Sequence, residues 1–170
     1  MRRGARSAAT LAVLSAILVI GGAWGWSEVT KPFPGKADPP VCVDTAVSAG
    51  EKVYPGQVVV SVFNAGTRDG LAGRTMGLFT DHGFVAGDSG NAPTGARVPR
   101  VQIWTTDPRS PAVRLVASHL GRHVNVVRRK ASGAGVVVMV GDGFTKLVHG
   151  REKGRATADA TICRPSAMPT

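Results

Sequence analysis

The sequence predicts an α+β fold: a small sandwich of about five or six strands with two helices packed on one sheet face, in the order β-α-β-β-α-β-β. Three observations predict it. The β-branched run Val58–Phe63 breaks at Asn64-Ala65-Gly66 and becomes a helix start over Thr67–Gly70, so period 2 changes to period 3.6 across a few small or polar residues. Two segments carry helical stripes: Leu71, Thr75, Leu78 and Phe79, then Val113, Val116, Ala117 and Leu120. Further strand-like runs, Arg100–Thr105 and Val136–Val140, follow each in turn.

The elements follow in order. Tyr54-Pro55-Gly56 is a turn signal within Val53–Gln57. Val58–Phe63 is the first strand, and Leu71–His82 is an amphipathic helix ended by Gly83. Phe84–Gly87 reads as a short second strand and Ser89–Pro99 as a turn-rich loop. In Arg100–Thr105, Val101, Ile103 and Thr105 face one way and Gln102 and Trp104 the other. Pro111 suits the first turn of the second helix and Gly121 its C-terminal cap. Val124–Arg128 and Val136–Val140 are strands separated by a Ser-Gly-Ala-Gly turn.

The N-terminus bears on compartment. Arg2, Arg3 and Arg6 precede Ala8–Trp26, which carries no charge. Nineteen helical residues rise about 28 Å, close to the roughly 30 Å thickness of a bilayer's hydrocarbon core. Trp24 and Trp26 fall where an interfacial aromatic belt belongs, and the arginines place the N-terminus in the cytoplasm. The expected organisation is a cytoplasmic stub (1–7), a transmembrane anchor (8–26), a Pro-rich tether (27–40), an extracytoplasmic domain (41–164, core 58–144) and a tail (165–170). A cleaved signal peptide is the rival reading, with Ala23-Trp24-Gly25 as a poor small-x-small site. Both readings put the rest of the chain outside the cytoplasm.

Formal net charge is +10 over 170 residues, and setting aside the three N-terminal arginines leaves +7 on the exported part. Acidic wall polymers and anionic headgroups are then the natural partners of that charge, and nucleic acid, in the other compartment, is not. A merely solvated basic surface is the alternative. Cys42 and Cys163, the two cysteines, bracket the domain. Outside the membrane a lone pair reads as a disulfide clasp between Val41-Cys42-Val43 and a last strand, Ala160-Thr161-Ile162-Cys163, against the alternative of two buried thiols.

The wording Val62-Phe63-Asn64-Ala65-Gly66 with Gly70-Leu71-Ala72, then His82-Gly83-Phe84-Val85, then Val136–Val140 with Gly141-Asp142-Gly143-Phe144, resembles the LytR C-terminal domain family over about Val58–Phe144. Ala65 departs from the family's usual Gly, and Ile103-Trp104 stands where Ile-x-Tyr is common. The single anchor, lone domain and bracketing cysteines also resemble single-pass actinobacterial envelope-integrity proteins of the Cei type. The resemblance implies an extracytoplasmic, non-catalytic domain working with wall-assembly enzymes of the LytR-CpsA-Psr family. Their catalytic domain is larger, and the chain between tether and clasp has no room for it.

No active site is displayed. Asn64–Gly70, with Asn64, Gly66 and Arg68, could offer backbone N–H groups and a helix dipole to a phosphate, with Arg74 nearby. The structural alternative is a helix capped by Thr67 or Asp69, with Gly66 at positive φ. His119 and His123 have a metal-like spacing, but Gly121 ends the helix between them and no third ligand accompanies them, so neither a metal nor a cofactor is expected. Ser118, His119 and Asp107 form no nucleophile elbow. Arg128, Arg129 and Lys130, together with an alternating Arg151, Lys153 and Arg155, are candidates for one basic edge that would take an acidic polymer or lipid headgroup. A solvated, aggregation-blocking edge is the alternative. An enzyme acting on peptidoglycan or a carrier lipid through an unrecognised site is a less favoured rival.

Overall fold

A computed structural model describes residues 3–29 and 41–166, with side chains described over 12–26 and 41–166. The chain divides into two compact units, Met1–Asp38 and Pro39–Thr170. The first is a helix, α1 (Arg3–Val29). Its described side chains are exposed. Among the described residues no helix is long and apolar enough to cross a membrane. The expected tether over Thr30–Pro40 and the tail beyond Ser166 lie outside the described residues.

The second unit has nine strands and two helices among its described residues: β1 (Cys42–Val47), β2 (Lys52–Val53), β3 (Val59–Asn64), α2 (Leu71–Asp81), β4 (Val85–Asn91), β5 (Val101–Thr105), α3 (Pro111–Leu120), β6 (Asn125–Arg128), β7 (Val136–Val140), β8 (Gly154–Arg155) and β9 (Ala160–Pro165). A mixed five-stranded sheet runs β4-β3-β7-β5-β6. β3 is parallel to both β4 and β7, β5 is parallel to β6, and β5 meets β7 antiparallel. Within this sheet the element order is the predicted β-α-β-β-α-β-β.

β7 is central, and its five apolar residues are all buried. Alternation sends Val136, Val138 and Val140 into the main core, where they meet Val60, Val62, Ile103, Phe79, Leu115 and Val116. Val137 and Met139 point the other way, into a smaller cluster with Trp104, Ala65 and Val98. Both helices contribute to the main core, so they cover one face of the sheet, as the sequence predicts.

Three elements differ from expectation. β4 runs on to Asn91 through Asp88-Ser89-Gly90, residues that read as a turn. It is an edge strand, where polar side chains meet water, and its ladder with β3 shifts register between Val60 and Val62 to absorb Gly87. The two-residue pair β2–β8 is too short to show a period in sequence. Helix α2 starts from Gly70 at φ 68°, with no side-chain cap, so neither Thr67 nor Asp69 caps it and Gly66 is not the residue at positive φ.

β1 and β9 form the expected clasp, an antiparallel ladder with Asp44 opposite Cys163 and a Cys42–Cys163 disulfide. Val47 and Ile162 dock this ladder into the main core.

Candidate functional site

The parallel strands β3, β4 and β7 all end on one side of the sheet, which is where open parallel sheets place their ligand crevices. Asn64 closes β3 opposite Asn91 of β4 and Val140 of β7. Its side chain then shapes the following turn: Oδ1 accepts the Gly66 N–H at 3.0 Å, and Nδ2 donates to the Arg68 carbonyl at 2.8 Å. An Asn at this position acts as a template for the loop, a local role that short polar side chains fill well.

The N–H groups that follow are occupied from within the chain. Asp142, just past β7, accepts the Thr67 N–H at 2.9 Å, the Thr67 hydroxyl at 2.9 Å and the Arg68 N–H at 3.0 Å. The Arg68 guanidinium turns back to the carbonyls of Asp142 (3.1 Å) and Phe144 (3.4 Å), and Arg74 donates to the Asp69 carbonyl at 2.7 Å. A carboxylate of the protein itself therefore sits where the sequence suggested a bound phosphate. Asn64, Gly66 and Arg68 thus build the turn, and the Asp142 carboxylate takes up the Thr67 and Arg68 N–H groups.

Gly66 is needed for that approach. A Cβ there would lie 2.8 Å from the Asp142 backbone nitrogen and against its carboxyl group. Two of the family-like motifs, separated by 75 residues, thus meet in one hydrogen-bonded corner.

Hydrogen bonds from the Thr67 backbone and side chain hold the Asp142 carboxyl below the ordinary carboxylate value of 3.8; the Arg68 N–H and its charge contribute in the same direction. A carboxyl that titrates lower when folded stabilises the fold above the ordinary range, and that contribution disappears as pH falls through the folded value. Asp142→Ala is expected to raise hydrogen exchange at the Thr67 and Arg68 amides by about tenfold or more, with β3 amides unchanged; protection retained in the variant would show that another acceptor holds the loop.

Beside this corner opens a groove of about 670 Å³, walled by Asn64, Thr67 and Asp142 on one side and by Asn91, Thr94 and Arg97 on the other. It presents amides, hydroxyls, the Asp142 carboxylate and the Arg97 guanidinium, with no adjacent Ser–His or Cys–His pair. Such a wall can hydrogen-bond a polar ligand but has no group poised to move a proton near neutral pH. No group of three or more His, Cys, Asp or Glu suited to a metal ion occurs among the described residues.

The expected basic edge is divided. Arg128 closes β6, and Arg129 lays its guanidinium carbon 4.3 Å above the Trp104 ring, on the sheet face away from the helices. Lys130 lines a second groove, of about 710 Å³, with Asp44 and Asp107 also on its walls. Arg155 lies in β8, which packs on α3 on the helical side: a Cβ at Gly154 would touch the Pro111 carbonyl at 2.9 Å. Arg151 and Lys153 precede that two-residue strand, so the expected alternating strand face does not form. All three are nevertheless exposed.

Asp142 as an internal anion and the Trp104–Arg129 stack were not expected from sequence. The only signal for the stack was Trp104 facing away from Ile103 in the β5 alternation, and for Asp142 its place in a Gly-Asp-Gly turn.

Comparison with known proteins agrees with the motifs at this corner. No curated protein matches the chain. Among solved structures, it is similar to the soluble domain of a conserved hypothetical secreted protein from Mycobacterium marinum, at 24% identity and a TM-score of 0.45, covering 61% of this chain and 78% of that one. The family model described as LytR cell envelope-related transcriptional attenuator matches residues 57–144, from two residues before β3 to two past Asp142. That match spans more than half of the 170 residues, and the chain belongs to this family.

Proposed function

We propose that this protein is a membrane-anchored, extracytoplasmic binding or scaffold domain that supports cell-envelope integrity, works beside LytR-CpsA-Psr wall ligases, and catalyses no reaction itself. The observation that carries the reading is the Asp142 corner. The family's motif residues converge on hydrogen bonds that build a rigid rim for an open polar groove, not on a reactive group. The apolar run Ala8–Trp26 behind three arginines supports the anchor and its orientation, and the Cys42–Cys163 bond suits an oxidising compartment.

Crosslinking in intact cells followed by mass spectrometry tests the reading. Recovery of a LytR-CpsA-Psr ligase, reduced by substitutions at Asn64 and Thr94 in the groove, is the expected result. Intact capture in those variants would move the interface elsewhere, and loss of an enzymatic activity on a single polar substitution, with capture intact, would point to an enzyme.

A second reading, binding of anionic wall polymer or lipid, is favoured by the exposure of Arg151, Lys153 and Arg155. Reversing these three charges is then expected to lower retention on purified wall and to remove its salt sensitivity. Retention that is unchanged and insensitive to salt would exclude this reading.

A further inference from the structure

Three histidines distant in sequence meet beneath the segment that joins β7 to β8. His82 follows α2, His119 lies in the last turn of α3, and His149 belongs to the joining segment. His119 is buried, at 6% exposure, with the Phe84 ring edge-on at 5.0 Å between centroids. The Nδ1 atoms of His82 and His119 are 3.0 Å apart, and the His149 ring lies 6.1 Å from that of His82.

The hydrogen bonds assign the protons. His119 Nε2 is 3.1 Å from the Arg151 carbonyl oxygen, which can only accept, so Nε2 carries the hydrogen. His119 Nδ1 is then a bare lone pair, and His82 Nδ1–H donates to it. One added proton is accommodated: His119 donates from both nitrogens while His82 shifts its own hydrogen to Nε2. A second added proton leaves two N–H groups, on two cations, face to face at 3.0 Å.

The same residues hold the joining segment down. Val148 N–H donates to the His119 carbonyl at 2.8 Å, Arg151 N–H to the Ser118 hydroxyl at 3.0 Å, and Leu147 is buried. We propose that His82, His119 and His149 form an acid-operated latch, which holds the Leu147–Lys153 segment on α3 at neutral pH and releases it when the His82–His119 pair takes up its second proton. Release would let the exposed cations Arg151 and Lys153 move away from α3 with their segment.

The surrounding charges favour this behaviour. Burial lowers the His119 pKa below its usual 6.5, and repulsion from His82 and His149 adds to the effect, while the Arg151 carbonyl opposes it. From α2 the facing group is His82, and Asp81 opens instead onto a groove beside Arg68 and Arg74. Phe84, before β4, offers no charge, and the joining segment contributes His149 and Arg151, with Glu152 exposed. A histidine titrating lower when folded stabilises the fold fully above pH 6.5, and that stabilisation is lost as pH falls through the folded value.

The test is hydrogen exchange of the full chain at about pH 7.5 and about pH 5, corrected for intrinsic rates, with histidine ¹⁵N shifts recorded alongside. In the wild type, the 147–153 amides are expected to lose about tenfold in protection on acidification while β3 and β7 stay protected. In His82→Leu, which removes one partner of the N–H pair, that loss is expected to fall below about twofold, and in His149→Gln, which removes only the added repulsion, to persist. Constant protection in the wild type, equal loosening in His82→Leu, or either of His82 and His119 remaining neutral at about pH 5 by ¹⁵N shift would each overturn the latch. The shift measurement uses the wild type alone, so it decides the matter even if His82→Leu fails to fold.

Discussion

Replacing Cys42 and Cys163 together by alanine is expected to lower stability by about 4 kcal/mol and the Tm by more than about 10 °C. The bond closes a loop with a sequence separation of 121, which includes the whole five-stranded sheet. Without it the unfolded chain gains the conformational freedom of that loop, and β1–β9 must hold by ladder hydrogen bonds and the buried Val47 and Ile162. Urea unfolding under oxidising and reducing conditions checks the size and the cause. The denaturant slope should rise on reduction, because the uncrosslinked unfolded chain exposes more surface. Identical curves in both conditions would show that the clasp contributes nothing.

Gly141→Ala is expected to cost about 3 kcal/mol or more. Gly141 follows β7 against the 98–100 main chain, and a Cβ would overlap the Val98 carbonyl oxygen and lie 2.6 Å from its carbon. The obstacle is backbone, so no rotamer change relieves it. The Gly141 N–H bond to Arg100 and the Gly143 N–H bond to Pro99, at 2.8 and 2.9 Å, would have to lengthen. Those bonds also position Asp142, so a variant that still folds should lose protection at Thr67 and Arg68. Gly73→Ala in α2 is the counterpart, because a Cβ there meets nothing within 4 Å. It should stabilise by about 0.5–1 kcal/mol through helix propensity. Thermal unfolding of the two variants side by side separates steric from intrinsic effects.

The main sheet and its helices were legible in the sequence because their signals are local. Val136–Val140 is apolar throughout because β7 is covered on both faces, and Pro111 and Gly121 bound α3 by their own backbone preferences. The edge strand β4 reads shorter in the sequence because Asp88-Ser89-Gly90 has turn composition, and ladder pairing with β3 overrides it. The site was less legible. Asn64–Gly70 was recognised as a loop offering N–H groups, but the acceptor comes from Asp142, brought in by the parallel β3–β7 ladder. Alternating cations at Arg151, Lys153 and Arg155 have the period of a strand, yet only Gly154 and Arg155 pair with a neighbour. The sequence pairs His119 with His123, four residues on, whereas its partner His82 lies 37 residues away, just past another helix.

The placement of the disulfide has a mechanical meaning. Cys42 is the first residue of β1, and its ladder with β9 is antiparallel, so a pull on the chain preceding Val41 would peel the hydrogen bonds one at a time from that end. The covalent bond lies at the point where peeling would begin. Tension arriving along the chain therefore passes directly to Cys163 and into β9 and the core packed around Ile162. A domain joined in this way can carry load from its N-terminal side without unravelling, and its groove at the far ends of β3, β4 and β7 can keep its shape while the chain before it is under strain.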